Sequence, residues 1–189
     1  MTLMNRRSMV LFVFLTSLLP HFLTSLLSQE GAPLPNAKDV VKPKAYASLS
    51  PVPRGKTFEV AVVADILPGF HVNSNKPSED YLIATQLQPD LPPGFKLLAA
   101  VYPPGRLKRF EFSEKKLSVY EGKFTMRVKI QVPPDAPLGK TPLPLALRYQ
   151  ACNDTACLPP VKIPVPLEIQ LAPANATARP AHPEIFTKR

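Results

Sequence analysis

Prolines decide what this chain cannot become. With 25 prolines and 7 glycines among 189 residues, hardly any window after the first 30 positions is long enough for an α-helix, since each proline removes an amide donor and collides with the preceding turn. Alternation of period two recurs instead, and it predicts an all-β chain. The clearest strand covers 124–132, where Phe124, Met126, Val128, Ile130 and Val132 point one way and Thr125, Arg127, Lys129 and Gln131 the other. One face meets a core and the other meets water. A second run, 143–149, turns Leu143, Leu145, Leu147 and Tyr149 inward, and a third, 161–171, does the same with Val161, Ile163, Val165, Leu167, Ile169 and Leu171. Pro164 and Pro166 in that third run cannot donate to a ladder, which predicts an edge strand or amides that face outward there.

Earlier strands are expected at 45–49, 57–66, 70–73, 84–88 and 95–102, separated by turn formers such as Pro68-Gly69 and Pro103-Pro104-Gly105. Short strands at this spacing predict an immunoglobulin-like antiparallel β-sandwich. The antibody hallmarks are missing, because there is no Trp and the two cysteines lie too close in sequence to bridge two sheets. The sandwich is expected over 45–171, with a polar, Pro-rich, flexible leader at 29–44 and a disordered Ala/Pro tail at 172–189. Asn175-Ala176-Thr177 fits a glycosylation acceptor, a three-residue pattern that chance often supplies.

The N-terminus sets the compartment. Arg6 and Arg7 precede an apolar stretch over 9–27 that Pro20-His21 interrupts, and no acidic residue comes before Glu30. This is the layout of an export signal over 1–28, whereas a membrane anchor needs about 20 uninterrupted apolar residues; cleavage is expected, with retention of the segment as an anchor the alternative. An exported chain meets oxidising surroundings in which disulfides form and persist. Without those 28 residues, 21 basic and 14 acidic side chains leave a net charge of +7. A single domain of about 160 residues buries roughly two thirds of its unfolded surface and does not depend on a disulfide to fold. Arg106, Lys108, Arg109, Lys115 and Lys116 gather around one loop; they read as a solvated face, or as steering for an acidic protein partner. Nucleic acid is not expected, since no stacking aromatics are interleaved with the basic residues.

Cys152 and Cys157 are the only cysteines, with four residues between them, in Tyr149-Gln150-Ala151-Cys152-Asn153-Asp154-Thr155-Ala156-Cys157-Leu158-Pro159-Pro160. As a staple the pair closes so small a ring that the chain-entropy gain is about 2 kcal/mol. Metal is not expected, because three or four ligands are needed and Leu158, Pro159 and Pro160 stand where a copper site would place its His and Met. A structural clip and an exchange couple both remain open. A thioredoxin-type attacker is excluded by the spacing, for it would hold two intervening residues at a helix start. The neighbouring Asp154 is acidic and no cation lies between the thiols, so the pair suits being attacked by a partner's thiolate better than starting an attack.

The segment from Tyr149 to Pro160 resembles the active-site segment of the N-terminal periplasmic domain of the DsbD-type thiol:disulfide interchange proteins. Pro68-Gly69-Phe70-His71-Val72-Asn73, the Leu-Pro-containing turn at 91–95, Glu111-Phe112 and Tyr120 follow in the same order, so the likeness covers about 45–171. It implies an immunoglobulin-like domain whose redox pair, Cys152 and Cys157, sits on a hairpin at one end. It also implies Phe112 as a cap that shields the pair, with Phe110 as the competing choice, Tyr149 packed beside it, and Glu111 or Glu114 as candidates for proton transfer. No cofactor is implied. The implied partners are a thioredoxin-like or membrane-embedded electron donor, and a periplasmic disulfide isomerase or a thioredoxin-like cytochrome c maturation protein as acceptor. Several features depart from the family: four residues rather than five between the cysteines, no aromatic near Asn73, and Ser113 in place of a second cap aromatic. With no membrane or thioredoxin-like part in the sequence, the expectation is a stand-alone monomeric carrier fed by another polypeptide, or a relative that kept the fold and changed partners. His71 has two readings, an acid/base group or, as a lone His near a strand start usually is, an ordinary hydrogen-bonded surface residue, and the second is the one expected. The rival reading is a non-catalytic sandwich module that uses the disulfide as a local clip.

Overall fold

The computed structural model describes residues 33–187; the expected export signal over 1–28 lies outside them. The first strands are β1 (Val41–Ala47), β2 (Leu49–Ser50), β3 (Val52–Pro53), β4 (Thr57–Ile66), β5 (His71–Asn73) and β6 (Gln86–Pro89). Then come β7 (Lys96–Val101), β8 (Arg106–Lys108), β9 (Leu117–Glu121), β10 (Lys123–Gln131) and β11 (Gly139–Pro142). The last are β12 (Leu145–Tyr149), β13 (Ala151–Cys152), β14 (Val161–Val165), β15 (Glu168–Ala172) and β16 (Arg179–Pro180), followed by the short helix α1 (Pro183–Phe186).

Alternation builds the sandwich. One layer has the order β1-β4-β10-β7, and the facing layer consists of β14-β12-β6 and β11-β15-β3. All of these pairings are antiparallel except β15 with β3, which is parallel. Phe58, Val60, Val62, Met126, Val128 and Ile130 on β4 and β10 meet Leu145, Leu147, Tyr149, Ile163, Val165 and Leu171 from the other layer in one core. Each such side chain removed from water contributes on the order of 1.5–3 kcal/mol. The structure is therefore the immunoglobulin-like β-sandwich that the patterning predicts.

A third sheet, β13-β5-β9-β8, closes one end of the molecule. It is built from strands of two to five residues, and two of them, β8 and β9, fall in a stretch where no strand is expected. Gly105 lies just before β8 at a close approach, where a Cβ would strike the Ser118 hydroxyl and the Ser74 side chain.

The run 161–171 alternates in burial as expected, yet it is two strands and not one. β14 pairs with β12 and ends at Val165; β15 pairs with β11 and β3 from Glu168 onward. Pro166 stands at the break, and β14, which carries Pro164, is an edge of its sheet, as a missing donor requires.

Both flanks differ from what composition suggests. In the segment 29–44, expected to be a flexible leader, Asn36 caps a 3-10 turn over Ala37–Asp39 and β1 begins at Val41. Val40 and Val41 are buried in the main core, an apolar pair hidden among polar and proline neighbours. In the segment 172–189, expected to be a disordered tail, β16 pairs with β2, and the His182 ring meets Tyr46 edge-on at 5.0 Å. The Arg127 guanidinium donates to the Ile185 carbonyl at 2.7 Å and lies over the Phe186 ring. The tail is anchored by the outward side of β1 and β10, whose residues the alternation leaves unused by the core.

Candidate functional site

The cysteines flank a tight loop between β13 and β14. The Asn153 carboxamide oxygen accepts from the amides of Thr155 at 2.9 Å and Ala156 at 2.7 Å, and the Asn153 amide donates to the Ala156 carbonyl at 2.9 Å. This side-chain turn is what Asn supplies where a chain must reverse quickly. The Leu158 amide donates to the Ala151 carbonyl at 2.8 Å and closes the base of the loop. Cys152 and Cys157 face one another as an antiparallel bridge, with Cα atoms 4.0 Å apart and the sulfurs joined in a disulfide. The two are unequal: Cys152 is 3% exposed, whereas Cys157 lies open at the surface.

β13 hangs on β5, with Cys152 opposite His71 and Ala151 opposite Val72. On its other side β5 pairs with β9, where His71 faces Glu121. Directly opposed side chains share a sheet face about 5 Å apart, so Cys152, His71 and Glu121 form one cross-strand row. Lys108 of β8 extends it, donating to the Glu121 carboxylate at 2.7 Å.

Above this row stands a stack of rings. The His71 imidazole is stacked on Phe110, centroids 4.2 Å apart, and Phe110 in turn on Phe112, 5.2 Å apart. Lys108 Nζ sits 5.2 Å from the Phe110 centroid. Phe110 is buried with Leu117 and Val119, against which Leu82 packs, in a small cluster separate from the main core. Phe112, at 51% exposed, forms the outer layer.

The residues singled out from sequence are thus divided. Cys152, Cys157, Phe110 and Phe112 gather at the end sheet. Glu111 and Glu114 lie exposed on the same loop as the two Phe residues. Tyr149 is fully buried in the main core, its hydroxyl donating to the Ala37 carbonyl at 2.7 Å; burial pushes its pKa up to about 12. His71 is not on the surface, being 2% exposed. Burial and then the nearby Lys108 charge hold its pKa below the ordinary value, while Glu121 and Asp154 act the other way. Sequence reasoning weighed His71 as an acid/base group but preferred a surface role, and it passed over the Lys108–Glu121 pair, because strand register alone brings these residues beside Cys152. Of the five clustered cations, Lys108 and Lys115 are held by Glu121 and Glu79. Among the described residues no group of His, Cys, Asp and Glu side chains could hold a metal ion, and no helix is long and apolar enough to cross a membrane.

Among solved structures, the chain is similar to the N-terminal domain of DsbD from Neisseria meningitidis in its reduced form, with 21% identity and a TM-score of 0.41 over 66% of this chain and 84% of that one. It is also similar to the N-terminal periplasmic domain of ScsB from Proteus mirabilis, with 12% identity and a TM-score of 0.47 over 74% of this chain and 49% of that one. No curated protein sequence matches the chain. The family model described as thiol:disulfide interchange protein DsbD, N-terminal, matches residues 37–169, well over half of the sequence. The match begins at the 3-10 turn that Tyr149 anchors and includes both cysteines, and the chain belongs to the DsbD N-terminal domain family.

Proposed function

We propose that this protein is a periplasmic electron relay that cycles between the Cys152–Cys157 disulfide and the dithiol. The observation that carries this reading is the asymmetry of the pair: one sulfur belongs to an open residue and the other to a buried one, on a hairpin that forms one end of a domain. An incoming thiolate has access to Cys157. Attack there makes a mixed disulfide with Cys157 and releases Cys152 as the thiolate; the donor's second thiol then frees the domain in its dithiol form. In discharge, Cys157 attacks an acceptor disulfide and Cys152 resolves the mixed species, so two electrons pass on. The donor is a thioredoxin-like or membrane-embedded protein, and the acceptor a periplasmic disulfide isomerase or a thioredoxin-like cytochrome c maturation protein. The domain acts as a monomer and needs no cofactor.

Phe110 is the inner ring of a shield and Phe112 its outer ring. Their stack rises from the strand beside Cys152, where it delays unspecific oxidants until a docking partner displaces the outer ring. Single Cys→Ser variants provide the test. Cys152→Ser, which leaves Cys157 free, is expected to capture a thioredoxin-like partner as a stable mixed disulfide, and Cys157→Ser to capture little. If neither variant captures a partner, and the reduction potential lies below about −300 mV, the bond is a structural clip and the relay reading is wrong.

A further inference from the structure

We infer that His71 is the proton acceptor that turns buried Cys152 into a thiolate when the reduced domain discharges, an inference that rests on the relay reading above. Cys152 is the sulfur that most needs help: it is 3% exposed, and burial in apolar surroundings opposes ionisation of a thiol. Directly across the β5–β13 ladder stands the imidazole of His71, itself 2% exposed. Phe110 lies flat against that ring at 4.2 Å. Among the described residues, no side-chain hydrogen bond occupies the imidazole. It is positioned by stacking, and its nitrogens remain available.

The charged and titratable groups around His71 come from every neighbouring element. Glu121 faces it from β9, Lys108 from β8 and Asp154 from the cysteine loop, besides Cys152 on β13. Lys108 and Glu121 are bound to each other and act on the imidazole in opposite directions, Lys108 the more strongly. Asp154, like Glu121, favours the imidazolium. At neutral pH the ring is uncharged, because burial and Lys108 hold its pKa below the ordinary value; it is ready to take a proton rather than to give one.

The step balances. In the mixed disulfide between Cys157 and an acceptor, the Cys152 thiol passes its proton to His71 and its sulfur attacks Cys157 Sγ. The Cys152–Cys157 bond forms, the Cys157–acceptor bond breaks, and the acceptor sulfur leaves as a thiolate with the electron pair. The two domain thiols have been oxidised and one acceptor disulfide reduced by two electrons. The proton on His71 is returned through solvent or the departing thiolate.

The reduced protein can be mixed with an aryl disulfide that releases a coloured thiolate. The wild type should release two equivalents in two phases, the first from attack by Cys157 and the second from resolution by Cys152. His71→Phe keeps a flat ring under Phe110, and His71→Gln keeps polarity without a titrating group. Both are expected to slow the second phase roughly tenfold or more at pH about 6.5, and far less at pH about 9, where hydroxide can take the proton in place of the imidazole. The first phase should stay within about twofold of wild type. A second phase unchanged in both variants, or slowed equally at both pH values, overturns the assignment while leaving the relay intact. A wild type with no second phase overturns both. If the variants do not fold, the His71 ring can be titrated by NMR in the wild-type protein: its titration should move between the disulfide and dithiol states, and an identical titration in both overturns the assignment.

Discussion

The core of the sandwich and the sheet that closes its end are built on opposite rules. Between the layers, β4, β10 and β12 supply long rows of Val, Leu, Ile and Met with their ladders complete. At the end, the strands are short, and the buried polar residues of the described chain are concentrated there: His71, Asn73, Ser74 and Thr85. They are held by a local mesh rather than by apolar packing. The Thr85 hydroxyl donates to the Asn73 carbonyl at 2.6 Å, the Asn73 carboxamide to the Ile83 carbonyl at 3.1 Å, and the Ser74 and Ser118 hydroxyls meet at 2.8 Å. Apolar burial gives stability without caring much about direction, while hydrogen bonds fix positions and add little net energy. The molecule keeps its stability in one region and its geometry in the other.

Breaking the core should be the most costly for folding. Leu147→Ala, at a fully buried position, is expected to cost about 2–5 kcal/mol in denaturant unfolding and, in protein that remains folded, to leave the exchange rate of the cysteine pair unchanged. A comparable loss of exchange rate would show that the two regions are not separable.

The same contrast predicts opposite pH responses. Tyr149 ionises near 10 when unfolded but has its pKa raised to about 12 in the core, so stability is fully present below pH about 10 and falls, by on the order of 2 kcal/mol, as pH rises toward 12. His71 has a folded pKa below its unfolded one; the unfolded chain then binds the proton first, and stability falls as pH drops through about 6.5. Denaturant titrations across pH should show both limbs, with Tyr149→Phe flattening the alkaline one and His71→Phe the acid one. The smallest stability effect is expected at Phe112, where Phe112→Ala should change unfolding free energy by less than about 0.5 kcal/mol and yet speed oxidation of the dithiol by small disulfides. An unchanged oxidation rate would remove Phe112 from the shield.

This division also explains what could be read from the sequence. The bounds 57–66 expected for β4 match the structure, and β10 and β12 lie within a few residues of theirs, because long strands between a core and water must alternate. The end sheet left less of a trace: β5 falls in the strand expected at 70–73, but β8 is Arg106-Leu107-Lys108, charged at both ends, and β13 is two residues long. Cys152 and Cys157 were legible from type and spacing. His71 was legible only as a lone acid/base candidate and not as a neighbour of Cys152, since only the pairing of residue 71 with residue 152 joins them, and register between distant segments is a property of the folded chain. The break at Pro166 was missed because the apolar period runs unbroken through it while the hydrogen-bond partners change.

The bond from Tyr149 to the Ala37 carbonyl spans 112 positions of chain and bears on where the protein can be cut. A fragment started at residue 45, where composition alone sets the boundary, would discard Ala37, Val40 and half of β1, and would strand a phenol in an apolar interior with no acceptor. Such a group costs roughly 1–3 kcal/mol, besides the apolar surface laid bare on the layer behind it. The smallest self-sufficient piece of this protein therefore begins no later than Asn36, whose side chain caps the turn that presents that carbonyl.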